Sequence, residues 1–283
     1  MAKLTMTAKA KINLSLKVLG RRENGYHDIE SLMQLLNFGD EVTVEWLKEP
    51  GIFLTCNRAD LPTDESNIAY RAAELMQRTF QIPGGFQIHL EKKIPVAAGL
   101  AGGSTNAAAV MHLINELCDL KLSFSELADL GVTLGADVPF CLYGKPALAE
   151  GIGEILSPAK GIFHCYVVLA NPGIGVSTGA IYKAIDDAAV APKTDTKKLL
   201  AALAQGDLAE AFLHMENMME PVAESICPQI ADVLTALQRT GADHVMMSGS
   251  GATCFGIYLQ KPDERLLKEQ LGDSFVALTE PVI

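Results

Sequence analysis

The chain has 283 residues, which is room for one large domain or two of moderate size, and 49% hydrophobic and 20% charged residues are typical of a globular protein. That composition excludes disordered, collagen-like and disulfide-stapled chains. The 23 lysine and arginine residues against 34 aspartate and glutamate residues give a net charge of −11, which argues against binding nucleic acid or anionic membranes through a basic surface.

The first third of the chain alternates predicted strands with one helix. Hydrophobic and polar residues alternate from Ala8 to Val18, which predicts a strand with one buried face. Gly20–Gly25 has turn composition and precedes a second strand region at 42–46. Helical spacing predicts a helix at 68–80, and alternation predicts a strand at 86–90.

The clearest predicted helix begins at Ser104 and carries hydrophobic residues at helical spacing as far as Cys118. Its candidate caps are Ser104, Thr105 and Asn106. A second helix is predicted at 124–134, followed by a turn at Gly135–Pro139 and a buried strand at Tyr166–Ala170.

The second half is predicted to be mostly helical before it ends in strands. Helices are predicted at 178–189, 196–204, 208–218 and 229–238. Strands at 244–247 and 253–259, a helix from Glu264 and a last strand at 275–278 follow. Because strict βαβ alternation is missing, we predict an α+β fold in two lobes, with domains at residues 1–158 and 159–283.

Cysteine spacing and the amino-terminal residues bear on the compartment. The six cysteines contain no CxxC pair, which indicates reduced and mostly buried thiols. Residues 1–10 carry no apolar core, and no window approaches 18 uninterrupted apolar residues. We therefore expect a cytoplasmic protein without a membrane segment.

A segment rich in glycine and alanine leads directly into the helix at Ser104. It consists of Pro95, Val96, Ala97, Ala98, Gly99, Leu100, Ala101, Gly102, Gly103, Ser104 and Thr105. Backbone N–H groups at a helix start are unpaired and the helix dipole adds about half a positive charge there, so this segment is a candidate phosphate cradle. The alternative is a tight turn packed against a neighbouring strand.

Three further features could carry chemistry, each with an ordinary alternative. Lys11 and Asn13 share the polar face of the first strand about 7 Å apart, and could address one ligand or simply be solvated. Asp137 could act in acid–base chemistry or bond its own turn. Tyr26 and His27 could contact a ligand or belong to a surface loop.

The stretch Ser248–Gly251 offers a second nest of small residues, or merely a bend between two strands. Other signatures fail: Gly144-Lys145 lacks the remaining P-loop residues, and no Rossmann glycine pattern, nucleophile elbow or HxxxH pair is present. The sequence therefore disfavours Walker-type nucleotide binding, serine hydrolase chemistry and a zinc enzyme.

Taken together, five segments resemble the GHMP small-molecule kinases. They are AKAKINLSLKVLGRRENGYHDIESL (Ala8–Leu32), PVAAGLAGGSTNAA (Pro95–Ala108), LGADVP (Leu134–Pro139), VSTGAIYKAID (Val176–Asp186) and SGSGAT (Ser248–Thr253). The resemblance covers the whole chain. It implies a two-lobed GHMP kinase fold with a nucleotide-binding amino-terminal lobe and the active site in the cleft between the lobes.

The resemblance also implies an ATP-dependent kinase that uses Mg²⁺. Because Ala8–Leu32 is the most particular segment, the implied substrate is a small alcohol carrying cytidine diphosphate, in the non-mevalonate isoprenoid pathway. Asp137 would take the proton from a C2 hydroxyl, with Lys11 beside it. The segment Pro95–Thr105 would wrap the ATP phosphates, and Ser248 and Gly249 would close over them.

The implied substrate wall consists of Asn13, Tyr26, His27, Thr178 and Tyr182. In it, Tyr26 and Tyr182 would sandwich the cytosine ring and His27 would hydrogen-bond the edge of the base. The metal ligands are unknown, with Ser104 as a candidate, and we expect a monomer or weak homodimer.

Ala97 and Ala101 stand where many members of the family have glycine, and alanine at these positions predicts negative φ angles. Two other functions remain open. One is a GHMP kinase for homoserine, mevalonate or a sugar. The other is a non-catalytic relative that only binds nucleotide.

Overall fold

The computed structural model describes residues 2–188 and 195–282. The chain divides into two compact units, each assembled from three segments. Unit 1 consists of Met1–Ala10, Phe38–Ile94 and Ala101–Gly144, and unit 2 consists of Lys11–Asn37, Pro95–Leu100 and Lys145–Ile283. The domain division between residues 158 and 159 stays a prediction.

The strands and helices are as follows in chain order. The strands are β1 (Lys3–Asn13), β2 (Lys17–Arg21), β3 (His27–Leu47), β4 (Gly51–Cys56), β5 (Gly85–Glu91), β6 (Ala147–Glu150), β7 (Ile155–Pro158), β8 (Tyr166–Asn171), β9 (His244–Met247), β10 (Cys254–Tyr258) and β11 (Phe275–Thr279). The helices are α1 (Ile68–Thr79), α2 (Gly102–Leu117), α3 (Phe124–Gly131), α4 (Val138–Tyr143), α5 (Thr178–Ala188), α6 (Thr196–Gln205), α7 (Leu208–Phe212), α8 (Glu220–Ile226), α9 (Gln229–Arg239) and α10 (Glu264–Leu271).

These strands form two sheets. The larger has the order β4-β5-β3-β6-β7, with β1 and β2 also paired to β3. In it β4 runs parallel to β5, whereas β5, β6 and β2 each pair antiparallel with β3. The smaller sheet, in unit 2, is antiparallel throughout with the order β11-β8-β10-β9. Mixed pairing without regular βαβ alternation confirms the predicted α+β class.

The core of unit 1 is formed where α1 and α2 pack on each other and on the sheet. Close approach of the two helices is possible because α1 buries the small residues Ala69, Ala72 and Ala73. The helix begins where its spacing predicts, since the Asn67 side chain accepts a hydrogen bond of 2.9 Å from the Ala69 N–H.

A buried polar cluster in unit 1 fixes the chain just after β5. The carboxylate of Asp40 accepts hydrogen bonds from the Lys93 and Ile94 N–H groups at 2.7 and 2.8 Å. Its second oxygen accepts from the Asn106 side chain in α2 at 2.8 Å and pairs with Lys92. A buried charge is stable only with such partners, so this cluster ties the end of β5 to α2.

Some predicted boundaries are wrong. The predicted strand from Ala8 to Val18 is interrupted, since β1 ends at Asn13 and β2 begins at Lys17. The predicted helix at 208–218 ends at Phe212. The strands β4, β6 and β7 and the helix α8 are additional to those predicted, because they are short and carry weak periodicity. Ala189, the predicted end of α5, lies outside the described residues.

The cysteines agree with the prediction of reduced thiols. None of the six forms a disulfide, and four of them are buried: Cys141, Cys165, Cys227 and Cys254. Burial raises the pKa of the Cys165 thiol to about 12, which keeps it protonated and unreactive. Within residues 2–188 and 195–282, no helix combines the length and the apolar character needed to cross a membrane.

One buried histidine predicts how stability depends on pH. The Nε2 atom of His244 is buried without a hydrogen-bond partner, and its ring stacks on Phe212 at 5.4 Å. Burial lowers the pKa of His244 to about 4, so as the pH falls from about 6.5 towards 4 the unfolded state binds a proton that the folded state does not. The contribution of His244 therefore lowers the free energy of unfolding over that interval.

We expect His244→Phe to raise the free energy of unfolding by about 1–3 kcal/mol at pH 7.5, because it removes an unpaired buried nitrogen. The gain should grow at pH 5, as measured by urea denaturation at both pH values. The control is His89→Phe, because the side chain of His89 in β5 is 47% exposed and loses little on replacement. If the free energy of unfolding changed equally with pH in the wild type and in His244→Phe, the prediction would be contradicted.

Candidate active site

In unit 2, Lys11 and Asn13 lie at the end of β1 and are both buried, with 4% and 2% of their surface exposed. The Lys11 ammonium donates to Asn13 Oδ1 at 2.6 Å and to the Gly99 carbonyl at 3.0 Å. Asn13 in turn donates to Ser31 Oγ at 2.8 Å. Burial excludes the solvated-face alternative, because a strand face open to water would leave these side chains exposed.

The glycine-rich loop (Pro95–Leu100) also belongs to unit 2. It is left-handed at Ala97, with φ 51°, and at Gly99, with φ 76°. The prediction of negative φ is wrong for Ala97, and equally for Ala101, where φ is 57°. A left-handed alanine costs about 1–2 kcal/mol, and the path of the chain imposes it here, with the Ala98 carbonyl accepting from Thr253 N at 3.3 Å.

The SGSG loop (Ser248–Gly251) packs directly on the glycine-rich loop within unit 2. Ser248 Oγ donates to the Gly99 carbonyl at 3.0 Å, the same oxygen that accepts from Lys11. A Cβ atom on Gly99 would lie 2.1 Å from the Ser248 carbonyl oxygen, and one on Gly249 would lie 3.2 Å from Lys11 Nζ. Only glycine permits this approach at either position.

Gly249 and Gly251 are both left-handed, with φ 57° and 85°. Turns of this conformation can direct successive N–H groups into one concavity, which is a common anion-binding device. The Gly251 N–H already donates to the Ser248 carbonyl at 3.0 Å, and an anion-binding nest at this bend stays a prediction. Thr178, the first residue of α5, meets it, since its hydroxyl lies 2.8 Å from Ser250 Oγ.

The predicted base-binding residues are partly assembled in unit 2. The His27 ring stacks on Tyr182 at 4.6 Å between centroids and an interplanar angle of 14°. His27 Nε2 lies 2.8 Å from Asp186 Oδ1, and Arg21 pairs with the same carboxylate at 3.5 Å. Tyr26 is 57% exposed, and its place in a sandwich stays a prediction.

Sequence analysis did not identify Asp186, which contacts His27, or Arg21, which pairs with Asp186. The signal for Asp186 was present, because it follows Tyr182 by one helical turn and so shares its face of α5. Arg21 gave no comparable signal, since it lies in a segment with turn composition.

In unit 1, α2 starts at Gly102, with Ala101 as a cap that makes no side-chain hydrogen bond. The candidate caps Ser104, Thr105 and Asn106 are therefore wrong, because all three lie inside the helix. The Thr105 hydroxyl donates to the Lys9 carbonyl at 2.8 Å. The first N–H groups of this 16-residue helix consequently have no side-chain cap.

Asp137 occupies the cap position of α4 in unit 1, is half-buried and makes no capping hydrogen bond with its side chain. The alternative prediction, in which the Asp137 side chain bonds to the backbone of its own turn, is therefore wrong. A Cβ atom on Gly135 would lie 3.8 Å from Ser104 Oγ, so the turn that carries Asp137 lies beside the first turn of α2.

Metal binding has no dedicated site among the described residues. They contain no group of three or more His, Cys, Asp or Glu side chains placed to hold an ion.

Comparisons with known proteins agree on one family. The family "GHMP kinases N terminal domain" matches residues 67–145, and "GHMP kinases C terminal" matches residues 199–277. A 4-diphosphocytidyl-2-C-methyl-D-erythritol kinase of Alkaliphilus metalliredigens is 44% identical over 91% of this chain and 89% of its own. The Clostridioides difficile protein of that name is 40% identical over 95% of this chain and 91% of its own.

Solved structures confirm the predicted GHMP kinase fold. A crystal structure of 4-(cytidine 5'-diphospho)-2C-methyl-D-erythritol kinase matches with a TM-score of 0.80 and 33% identity, covering 98% of this chain and 99% of that one. A homoserine kinase from Cytophaga hutchinsonii matches with a TM-score of 0.76 over 99% of this chain and 95% of its own. At 21% identity the second match shows the fold alone.

Proposed function

This chain belongs to the GHMP kinases and, among them, to the 4-diphosphocytidyl-2-C-methyl-D-erythritol kinases, and we propose that it phosphorylates the C2 hydroxyl of 4-diphosphocytidyl-2-C-methyl-D-erythritol with ATP. The products are the 2-phosphate and ADP, in the non-mevalonate isoprenoid pathway. The observation that carries the proposal is that Lys11 and Ser248 of the SGSG loop both donate to the carbonyl of Gly99 in the glycine-rich loop.

Asp137 is the proposed base. As the hydroxyl oxygen forms its bond to the γ-phosphorus and the bond to the ADP oxygen breaks, the hydroxyl proton passes to the Asp137 carboxylate. Such proton transfer is worth roughly 10²–10⁴-fold in rate. The absence of a capping hydrogen bond supports this role, because the carboxylate is not committed to its own helix.

Lys11 is the proposed cation that acts on the same hydroxyl. Its ammonium favours the ionised form of the base and the developing negative charge on the attacking oxygen. The buried setting supports this role, because Asn13 Oδ1 and the Gly99 carbonyl both accept from the ammonium and hold it in one position.

We assign the ATP phosphates to the segment Pro95–Thr105 together with Ser248 and Gly249. The α2 N–H groups and the SGSG loop offer positive partial charge to oxygens that the net charge of −11 would otherwise repel. Mg²⁺ supplies further neutralisation of phosphate charge when it is bound with ATP, and the Ser104 hydroxyl is the proposed protein ligand.

We assign the cytosine base of the substrate to Tyr26, His27 and Tyr182, and the rest of the substrate wall to Asn13 and Thr178. The contact of His27 with Asp186 supports a role in reading the base, because a partner on Nε2 fixes the ring orientation and leaves Nδ1 for the edge of the base. The exposed ring of Tyr26 supports a stacking role, since a flat aromatic surface open to solvent can receive a base.

Tyr26→Ala should raise KM for the cytidylylated alcohol and leave ATP binding nearly intact. Stacking of a base on an aromatic ring is worth about 1–3 kcal/mol, which corresponds to roughly 5–150-fold in KM. Steady-state kinetics with each substrate varied in turn measures the change. Phe53→Ala, which removes a 54% exposed ring from unit 1, is the control. A KM change below threefold for Tyr26→Ala would argue against the sandwich.

The function itself is tested by incubating the protein with ATP, Mg²⁺ and the cytidylylated methylerythritol. Phosphorus NMR should then show phosphate on the C2 oxygen. Homoserine and mevalonate serve as competing acceptors in a coupled ADP assay, and faster turnover of either one would replace the proposal with another GHMP kinase activity. Nucleotide binding without turnover of any acceptor would favour a non-catalytic relative.

A further inference from the structure

Asn217, between α7 and α8 in unit 2, is a buried residue to which the catalytic proposal gives no role. Only 2% of its surface is exposed. Its side-chain amide donates to two carbonyls at the SGSG loop, Met247 O at 2.8 Å and Gly249 O at 2.7 Å. Its Oδ1 accepts from Met219 N at 2.9 Å. Both polar atoms of this side chain are therefore committed to the backbone.

The backbone around Asn217 is bonded to the segment that follows β1. Leu16 N donates to the Glu216 carbonyl at 2.8 Å, and Met218 N donates to the Leu16 carbonyl at 2.9 Å. Leu16 follows Lys11 by five residues on a buried stretch of chain. Residues 216–218 thus hold the segment that follows the strand of Lys11 on one side and the SGSG loop on the other.

These contacts close a ring. From Lys11 the chain runs to Leu16, then through the backbone bonds to Asn217, and from its amide to Gly249. Ser248, next to Gly249, donates to the Gly99 carbonyl that also accepts from Lys11, which returns the ring to its start. Glu220 reinforces it by accepting from Met247 N at 2.6 Å.

We propose that Asn217 is a positioning residue for phosphoryl transfer, which fixes the SGSG loop and, through the Gly99 carbonyl that Ser248 and Lys11 share, the position of the Lys11 ammonium. This inference rests on the proposed function in placing the ATP phosphates at that loop. Without the amide, two buried carbonyls lose their donor, and the loop has to shift to find water or another partner. The shift reaches Gly99 through the Ser248 hydroxyl, and it reaches Lys11 through the Gly99 carbonyl to which the ammonium donates.

Asn217→Asp and Asn217→Ser test the proposal in the full-length protein. The first keeps the shape but replaces the donating nitrogen with an oxygen, and the second keeps a single hydroxyl donor. We expect the dissociation constant for AMP-PNP with Mg²⁺ to rise at least tenfold and kcat to fall at least tenfold. KM for the cytidylylated alcohol should stay within threefold, because the Asn217 side chain bonds to Met247, Gly249 and Met219 and not to the residues assigned to the cytosine base.

The matched control is Asn115→Ser in unit 1. Asn115 also bridges backbone groups, donating to the Leu122 carbonyl at 3.2 Å and accepting from its N–H at 3.0 Å. It should lose stability without any change in nucleotide affinity or kcat. A merely structural role for Asn217 would give the same pattern as this control, and that result would overturn the proposal.

A measurement on the wild-type enzyme keeps the proposal testable if neither Asn217 variant folds. AMP-PNP with Mg²⁺ should slow hydrogen exchange of the Met219 N–H, which bonds to Asn217, at least fivefold, and unchanged exchange would overturn the proposal. Failure of the wild type to phosphorylate the cytidylylated alcohol would instead overturn the proposed function. The ratio of AMP-PNP affinities between variant and wild type would still decide the role of Asn217.

Discussion

Asp137→Asn is expected to lower kcat by roughly 10²–10⁴-fold while leaving nucleotide affinity within twofold of the wild-type value. The amide keeps the shape of the carboxylate but cannot accept the proton of the attacking hydroxyl at neutral pH. Because Asp137 makes no capping hydrogen bond, the exchange should cost little stability. Single-turnover phosphorylation with saturating ATP, together with calorimetric titration of AMP-PNP, measures both quantities.

Asp119→Asn is the control for this substitution. The native Asp119 side chain lies in the same unit, is 80% exposed and pairs with Lys121. It should leave kcat unchanged. If Asp137→Asn turned over at the wild-type rate, Asp137 would be removed from the mechanism, and the base would have to be sought elsewhere. A fall in kcat with an equal loss of AMP-PNP affinity would point to a distorted loop instead of lost proton transfer.

Gly99→Ala is expected to lower kcat/KM for ATP by about 10–100-fold, since overpacking of this kind typically costs 1–3 kcal/mol. The new Cβ atom would lie 2.1 Å from the Ser248 carbonyl oxygen and 3.1 Å from Gly251 N, both of which are backbone atoms that cannot rotate away. The glycine-rich loop and the SGSG loop must therefore separate. The Gly99 carbonyl, which accepts from Lys11, would move with them.

The control separates this clash from the cost of a left-handed alanine. Gly206 has φ 77°, nearly the value of Gly99, but a Cβ atom there meets nothing within 4 Å. Gly206→Ala should lose about 1 kcal/mol of stability without any loss of activity. Equal kinetic effects of the two substitutions would show that conformational strain, and not the contact between the loops, limits what Gly99 tolerates.

Regular periodicity explains which elements could be predicted. The helices α1 and α9 bury one face and expose the other, so hydrophobic spacing placed them within a residue or two. The first half of β3 was missed, because Ser31–Leu36 is buried on both faces and shows no alternation. The helix α4 is too short for a periodic signal. Its Pro139 is as typical of a turn as of the first turn of a helix, so the residue type did not distinguish the two.

The candidate site was predictable as a set of residues and not as a set of contacts. Motif order grouped Lys11, Gly99 and Ser248, but only the fold shows that they share one carbonyl oxygen. The left-handed alanines could not be foreseen, because local propensity disfavours a conformation that the surrounding chain imposes. Asn217 belongs to no motif, and its role depends on pairing with a segment distant in sequence.

That long-distance pairing constrains when the protein can fold during synthesis. Val18 N donates to Met218 Sδ at 3.4 Å, across 200 positions of the chain, next to the bonds between Leu16 and residues 216–218. A nascent polypeptide therefore exposes this early strand until most of the carboxy-terminal half has left the ribosome. Closing so large a loop is slow, and unpaired strand edges invite aggregation in the interval, so overproduction should benefit from chaperones and reduced translation speed.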